Sequence, residues 1–393
     1  MSLIRDRAFK AIAGAHMGVD LLNAQKSIFF AFMSLPLGLS NSAVALLNTL
    51  YTLMSSVGQP LFGTLADRYG TRWVSAGGVL WLAAFFAAAM LSPGYWSLGL
   101  LIVAGLGSAV FHPAGAMEAT LRGQEANAGR ESTSASLFFL AGQSGLSLGP
   151  AIGGPLLEHW GAPGLLLLLV FTLPAGGYAA YGVTPGRRVN HRVSESGSAV
   201  RARMGRLTIA AFGALAVLRI WVQFNFMTFL PKYYADLGYD PTIYGLIAAL
   251  FMGGVALANV TGGWLGDRMP RWPIVVGSLV LSAVPVSLFP WLGPTPWTYA
   301  LTPVAGALIG ASNTLIVVHA QNLMPERMGA ASGMVLGATF AAGSLGTLLS
   351  GVQADHFGFT ALFWTTAGLA LLAGLLALSM RPHGETPRQQ PSA

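Results

Sequence analysis

The chain has 393 residues, of which 54% are hydrophobic and only 9% charged, and its mean hydropathy is +0.61. A soluble domain carries about 25% charged residues, so a soluble enzyme and a disordered chain are both excluded, and a polytopic membrane protein is what remains. The formal charge of +7 is strung out at the ends of apolar stretches rather than gathered in a patch, which argues against nucleic acid, and the absence of cysteine excludes disulfides and thiolate metal sites.

A bilayer core about 30 Å thick needs roughly 20 apolar residues per helix. By that ruler twelve spans are predicted near 11–36, 42–66, 73–92, 96–121, 132–157, 162–183, 207–231, 242–266, 272–292, 297–321, 329–354 and 359–380. The runs are long and do not alternate, which excludes strands. Met1 to Lys10 is short and basic, and the apolar stretch after it is broken by His16, Asp20, Asn23 and Lys26 with no cleavage site. It reads as a retained first span, not a signal peptide. With the amino terminus inside, every Lys and Arg except Lys26, Arg219 and Lys232 falls in an inside segment, so both termini are expected in the cytoplasm.

The polar, basic stretch 184–206 divides the chain into a bundle over 1–183 and another over 207–380, with a tail at 381–393. The halves are related. Gly38, Gly63, Asp67 and Arg68 recur 200 residues on as Gly238, Gly263, Asp267 and Arg268. Gly149, Gly154 and Glu158-His159-Trp160-Gly161 recur 197 residues on as Gly346, Gly351 and Asp355-His356-Phe357-Gly358. An all-helical protein of two pseudo-symmetric six-helix bundles, with a site between them, is the expectation.

Between the second and third spans lies Gly63-Thr-Leu-Ala-Asp67-Arg68-Tyr-Gly70-Thr-Arg72, a tight turn in which Gly63 permits helix contact, Gly70 a bend, and Asp67 a contact with basic partners or a helix amino terminus. Its second copy carries Asp267 and Arg268 but has Pro270 near the expected glycine. In the fifth span, Gly145, Gly149, Pro150, Gly153 and Gly154 make a face on which another backbone can pack closely, with a bend at the proline.

Ionisable groups inside a membrane are costly and mark function by default. In the first span, His16, Asp20, Asn23 and Lys26 fall within a stripe about 120° wide at 100° per residue, expected to face a central cavity. The fourth span adds His112 and Glu118, and the seventh adds Arg219, Gln223 and Asn225. Structural roles compete at each: Asp20 paired with Lys26 or Arg219, Glu118 paired with Arg122 four residues on, His16 solvated near a span end, and His112 satisfied in the core. No metal-ligand spacing is present, and no cofactor is expected.

The turn motif, its second copy, the twelve spans and the central loop resemble the major facilitator superfamily. The resemblance implies that Asp67, with Gly63, Arg68, Gly70 and Arg72, latches the two halves on the cytoplasmic side; Asp267 and Arg268 are the matching pair. The fifth-span motif with Pro150 is similar to that of the family's antiporters. His16 and Asp20, with Gly105-Leu-Gly107-Ser-Ala-Val-Phe111-His112-Pro113, look most like the fosmidomycin-resistance branch, which exports drugs by proton antiport. On this reading the chain is not an enzyme. It is an inner-membrane carrier, expected as a monomer, that exports small drug-like or anionic compounds against an inward flow of protons. Asp20 is the first choice for coupling and Glu118 the second. Lys26, Asn23, His112, Arg219, Gln223 and Asn225 are expected at the substrate. Uptake or facilitated diffusion of a sugar or organic anion is the nearest alternative, and a non-transporting sensor or scaffold a more distant one.

Overall fold

The computed structural model describes residues 5–126, 131–183, 206–266, 268–323 and 328–381. The described residues are helical almost throughout, because backbone groups surrounded by lipid must pair within their own segment. Eight helical stretches are each long and apolar enough to cross a bilayer. Two of them, Ser136–Gly182 and Gly337–Met380, are broken once, at Gly161 and Gly358, and so supply two spans each. The first two spans are built from shorter pieces, Arg7–Asn23 with Gln25–Ser34 and Asn41–Ser56 with Gln59–Tyr69. Twelve spans result among the described residues.

The third and fourth spans are Thr71–Leu91 and Gly94–Ala126, and the fifth begins at Glu131 and runs to the Gly161 break. The sixth ends with Leu169–Gly182. In the second half the seventh to ninth are Arg206–Asp236, Pro241–Gly266 and Arg271–Leu292. The tenth joins Pro296–Gly310 to Asn313–Leu323, and the last two lie within Met328–Leu376. Side chains cap some of the starts: Asp6 accepts the Phe9 N–H at 2.7 Å, and Ser40 accepts that of Ala43 at 3.2 Å.

The sequence repeat is written into the backbone. Gly38 and Gly238 both take positive φ, 61° and 83°, as do Gly161 and Gly358 at 61° and 77°. Only glycine enters that region without strain, so each pair marks the same turn in both halves. The basic turn breaks the symmetry. Gly70 has φ 86°, whereas Pro270 is held at −54°, and Asp267 lies outside the described residues.

Because the spans alternate, the turns at Gly38, Gly161, Gly238 and Gly358 share one end of the molecule, and the Asp67–Arg72 turn, Arg268 and Arg381 share the other, the basic end. The halves close on each other at the end away from the basic one. There the fifth span packs on the eighth and the second on the eleventh. A methyl on Gly154 would sit 2.6 Å from the Pro241 carbonyl, and one on Gly351 would sit 2.9 Å from that of Asn41. Trp81, Leu91, Val170, Tyr181, Leu257 and Leu281 stay exposed on the outer flanks, where lipid tails would cover them.

Candidate transport site

The first span runs through two helices, Arg7–Asn23 and Gln25–Ser34, that meet at Ala24, whose φ of −67° and ψ of −23° are helical and whose N–H reaches the Asp20 carbonyl at 3.0 Å. Lys26 lies about 120° around the helix from Asp20, so the polar stripe divides between two neighbours. His16, Asp20 and Asn23 turn into the first bundle, toward the fourth and fifth spans, while Lys26 turns toward the second span and the gap between the halves.

Asp20 is buried, with 6% of its surface exposed, and is gripped from both sides by imidazoles. His16 Nε2 lies 3.2 Å from Oδ2, and His112 Nε2 lies 3.4 Å from Oδ1. Asn23 donates to Oδ1 at 2.9 Å and also to the Ser108 hydroxyl, while its own carbonyl accepts the Tyr51 hydroxyl at 2.5 Å. The far nitrogen of each ring is pinned to a backbone carbonyl: His16 Nδ1 to Phe138 at 2.7 Å, and His112 Nδ1 to Ser108 at 2.8 Å. His16 also stacks on the Phe138 ring, with centroids 3.9 Å apart.

His16 is the residue that sequence reasoning undervalued. Placed near the end of a span, it read as solvated; the structure leaves it 2% exposed. Its spacing of four residues from Asp20 was the available signal, since such residues meet on one helix face. The structural pairs weighed for Asp20 are not the ones formed: among the described residues its ionisable partners are the two histidines, not Lys26 or Arg219.

Lys26 lines a cavity between the halves together with Asn48, Thr52, Phe224, Met227 and Thr347. Its ammonium lies 4.7 Å from the Tyr51 ring centre and 3.5 Å from the Thr52 hydroxyl, with no carboxylate salt bridge among the described residues. A partly buried cation in a hydroxyl-rich cavity can hold an anionic group. Arg219 lines a separate cavity with Asn313 and Phe340, and its guanidinium is bound to the Ile309 carbonyl and the Ser312 hydroxyl of the tenth-span region. The two cations are thus not gathered at one place. Asn225 donates to Ser350 and Thr366, and Gln223 to the Met227 sulfur; among the described residues Oδ1 of Asn225 and Oε1 of Gln223 are both buried without a hydrogen-bond partner.

Glu118 is fully buried and saturated: Arg122 donates to Oε1 from Nη2 at 2.6 Å and from Nε at 2.7 Å, and the Thr71 hydroxyl donates to Oε2 at 2.6 Å. That is the structural alternative raised by its spacing from Arg122. The fifth-span glycines do bring backbones together. Gly145 lies against the Met17 carbonyl, a methyl on Gly149 would meet that of Leu21 at 2.8 Å, Gly153 faces Gln25, and Gly154 faces the eighth span. Gly63 differs from expectation, since a methyl there would meet only Pro113 at an ordinary 3.6 Å. Asp67 is exposed and forms no hydrogen bond or ion pair with a described residue.

The sequence profile of the Major Facilitator Superfamily matches residues 21–221 and 212–393. The chain belongs to that superfamily. Among similar proteins, the fosmidomycin resistance protein of Escherichia coli K12 is 26% identical over 94% of this chain and 91% of its own length. The multidrug resistance protein MdtG of Salmonella typhimurium is 24% identical over 81% of this chain and 80% of its own. The fold is shared with the nucleoside transporter NupG (TM-score 0.74, 14% identity, 95% and 99% of the two chains covered). It is shared too with a bacterial homologue of the human lysosomal transporter Spinster in an inward-facing, occupied conformation (TM-score 0.77, 11% identity, 97% of each chain). This facilitator is therefore a multi-pass integral membrane transporter of small molecules, not an enzyme, and its named relatives lie in the drug-efflux branch.

Proposed function

We propose that this facilitator exports small anionic or zwitterionic compounds from the cytoplasm in exchange for protons, with its basic end and both termini inside. The observation that carries the reading is the burial of Asp20 between His16 and His112, beside but not inside the cavity that Lys26 lines. A proton site and an anion site then lie about 120° apart around one span, so either can bias the packing that the other depends on. Lys26 and Asp20 lie within electrostatic reach of each other. Protonation at the Asp20 site, on the carboxylate or on the imidazoles that grip it, therefore changes how strongly Lys26 attracts an anion, which is the linkage an exchanger needs.

The reading is tested in proteoliposomes under an imposed pH gradient, following internal pH and a probe together. Fosmidomycin, named for the Escherichia coli relative, is the first probe. The gradient should drive probe accumulation in the wild type and fail to do so in Asp20→Asn, where the side chain keeps its shape and loses its charge. Accumulation that ignores the gradient, or gradient-driven accumulation by Asp20→Asn, would refute it.

A further inference from the structure

We propose that the coupling protons are carried by the two imidazoles, on Nε2 of His16 and Nε2 of His112, with Asp20 as the fixed negative charge between them. This deepens the exchange reading above and rests on it. The argument is one of hydrogen accounting. A backbone carbonyl can only accept, so the contact from His16 Nδ1 to Phe138 places a hydrogen on that nitrogen; His112 Nδ1 meets the Ser108 hydroxyl at 3.1 Å as well as the Ser108 carbonyl at 2.8 Å, and the shorter contact, to the carbonyl, places a hydrogen there too. A neutral ring then has only a lone pair on Nε2. Both Nε2 atoms face carboxylate oxygens, at 3.2 and 3.4 Å, and a lone pair facing a carboxylate oxygen repels it. Each contact becomes attractive when one proton occupies it. With both in place the triad holds one net positive charge, and release of either proton to water leaves it neutral; no covalent bond to substrate is made or broken.

The surroundings fit a store that opens on demand. Among the described residues, the ionisable groups facing the triad, apart from its own members, are Lys26 of the first span and Tyr51 of the second. The fourth span adds the Ser108 hydroxyl, and the third and sixth bring no ion pair among the described residues. The fifth span supplies the lid. Its Phe138 carbonyl fixes the His16 tautomer, and a methyl on its Gly142 would fall 2.5 Å from His16 Nε2 and 2.6 Å from Asp20 Oδ2. That span also closes on the eighth where the halves meet. Separation of the halves there pulls on the span that holds the His16 hydrogen bond, so a change of access and a change of proton affinity are one motion.

The test reads the rings directly. Full-length protein with ¹⁵N-labelled histidine is placed in lipid nanodiscs and its ring nitrogens are followed by NMR across a pH titration. Among the 7 histidines, His16 and His112 are assigned by the signals lost in His16→Gln and in His112→Gln. Both rings should carry hydrogen on both nitrogens at acid pH and retain it on Nδ1 alone at alkaline pH. An Nε2–H tautomer in either ring, or no titration, overturns the proposal. So does a shift of both rings on adding Zn²⁺ combined with chelator-sensitive export, which would make the triad a metal site. His16→Gln should lose gradient-driven export of fosmidomycin; full retention overturns this inference and leaves proton exchange standing. Rings that titrate as described in a protein whose export ignores the pH gradient would instead refute the exchange reading.

Discussion

The Asp355 carboxylate accepts the backbone N–H of Asn41 at 2.7 Å, joining residues from opposite halves of the chain. Its other oxygen takes the Ser42 N–H at 3.0 Å, so one side chain caps the start of the helix Asn41–Ser56. The repeat supplies a counterpart: Glu158 accepts the Thr242 N–H at 3.3 Å, at the start of Pro241–Gly266. Each half thus offers a carboxylate to a helix amino terminus of the other, where backbone N–H groups and the helix dipole favour negative charge. The two contacts hold the end away from the basic one closed.

Neutralising this pair should open that end. Burial raises the Asp355 carboxyl pKa, but hydrogen bonds from Ser42 and Asn41 outweigh it and leave the value below the usual 3.8. A depressed value means the contact favours closure above the free carboxyl's range and is lost as pH falls through the depressed one. The contact is largely exposed, so the Asp355 carboxylate is worth about 0.3–1 kcal/mol, at most roughly a fivefold population change. The chain lacks cysteine, so Leu35→Cys and Leu237→Cys can carry spin labels on the two halves. Asp355→Asn with Glu158→Gln should lengthen that distance distribution; an unchanged one would show the contacts to be incidental.

Asp67 is free of described partners while the far end is closed, as expected of a latch that engages only in the opposite state. Asp67→Asn should therefore leave the melting temperature nearly unchanged and cut transport five- to a hundredfold, the range for about 1–3 kcal/mol of lost bias. Wild-type rates from a well-inserted Asp67→Asn protein would remove the latch.

The two intramembrane cations should part company under mutation. Lys26→Ala is expected to weaken anion binding with little loss of stability, because its ammonium has no carboxylate partner among the described residues. Arg219→Ala removes the donors on the Ile309 carbonyl and Ser312 and should cost about 1–3 kcal/mol of stability. Affinity by calorimetry and melting temperature on both variants decides. Equal loss of affinity in both would return Arg219 to the substrate.

Gly154→Ala places a methyl 2.6 Å from the Pro241 carbonyl, which is backbone and cannot swing aside. The variant should shift the label distance toward the open arrangement and slow transport, while Gly177→Ala, in open space at the sixth span, should do neither. Equal behaviour of the two would mean that the fifth and eighth spans tolerate wider spacing than their packing implies.

Much of this was legible in the sequence because the membrane leaves so few choices. Apolar runs of bilayer length must be helices, and the offsets linking Gly38 to Gly238 and Gly161 to Gly358 announced two like bundles before any turn was seen. Asp20 stood out for the cost of its charge, and Gly145 to Gly154 for their spacing. Tertiary structure decided what those groups touch. His16 lies one turn from Asp20 on the same helix, but His112 reaches that carboxylate only through the packing of the fourth span on the first, a contact no local pattern encodes. Lys26, at the edge of the polar stripe, meets the second span and the gap between the halves rather than Asp20. Asp355 reaches Asn41 across a sequence separation of 314 residues. Periodicity is a property of one helix and can be read along the chain. Which helix face meets which depends on how all the helices pack at once, and only the folded bundle fixes it.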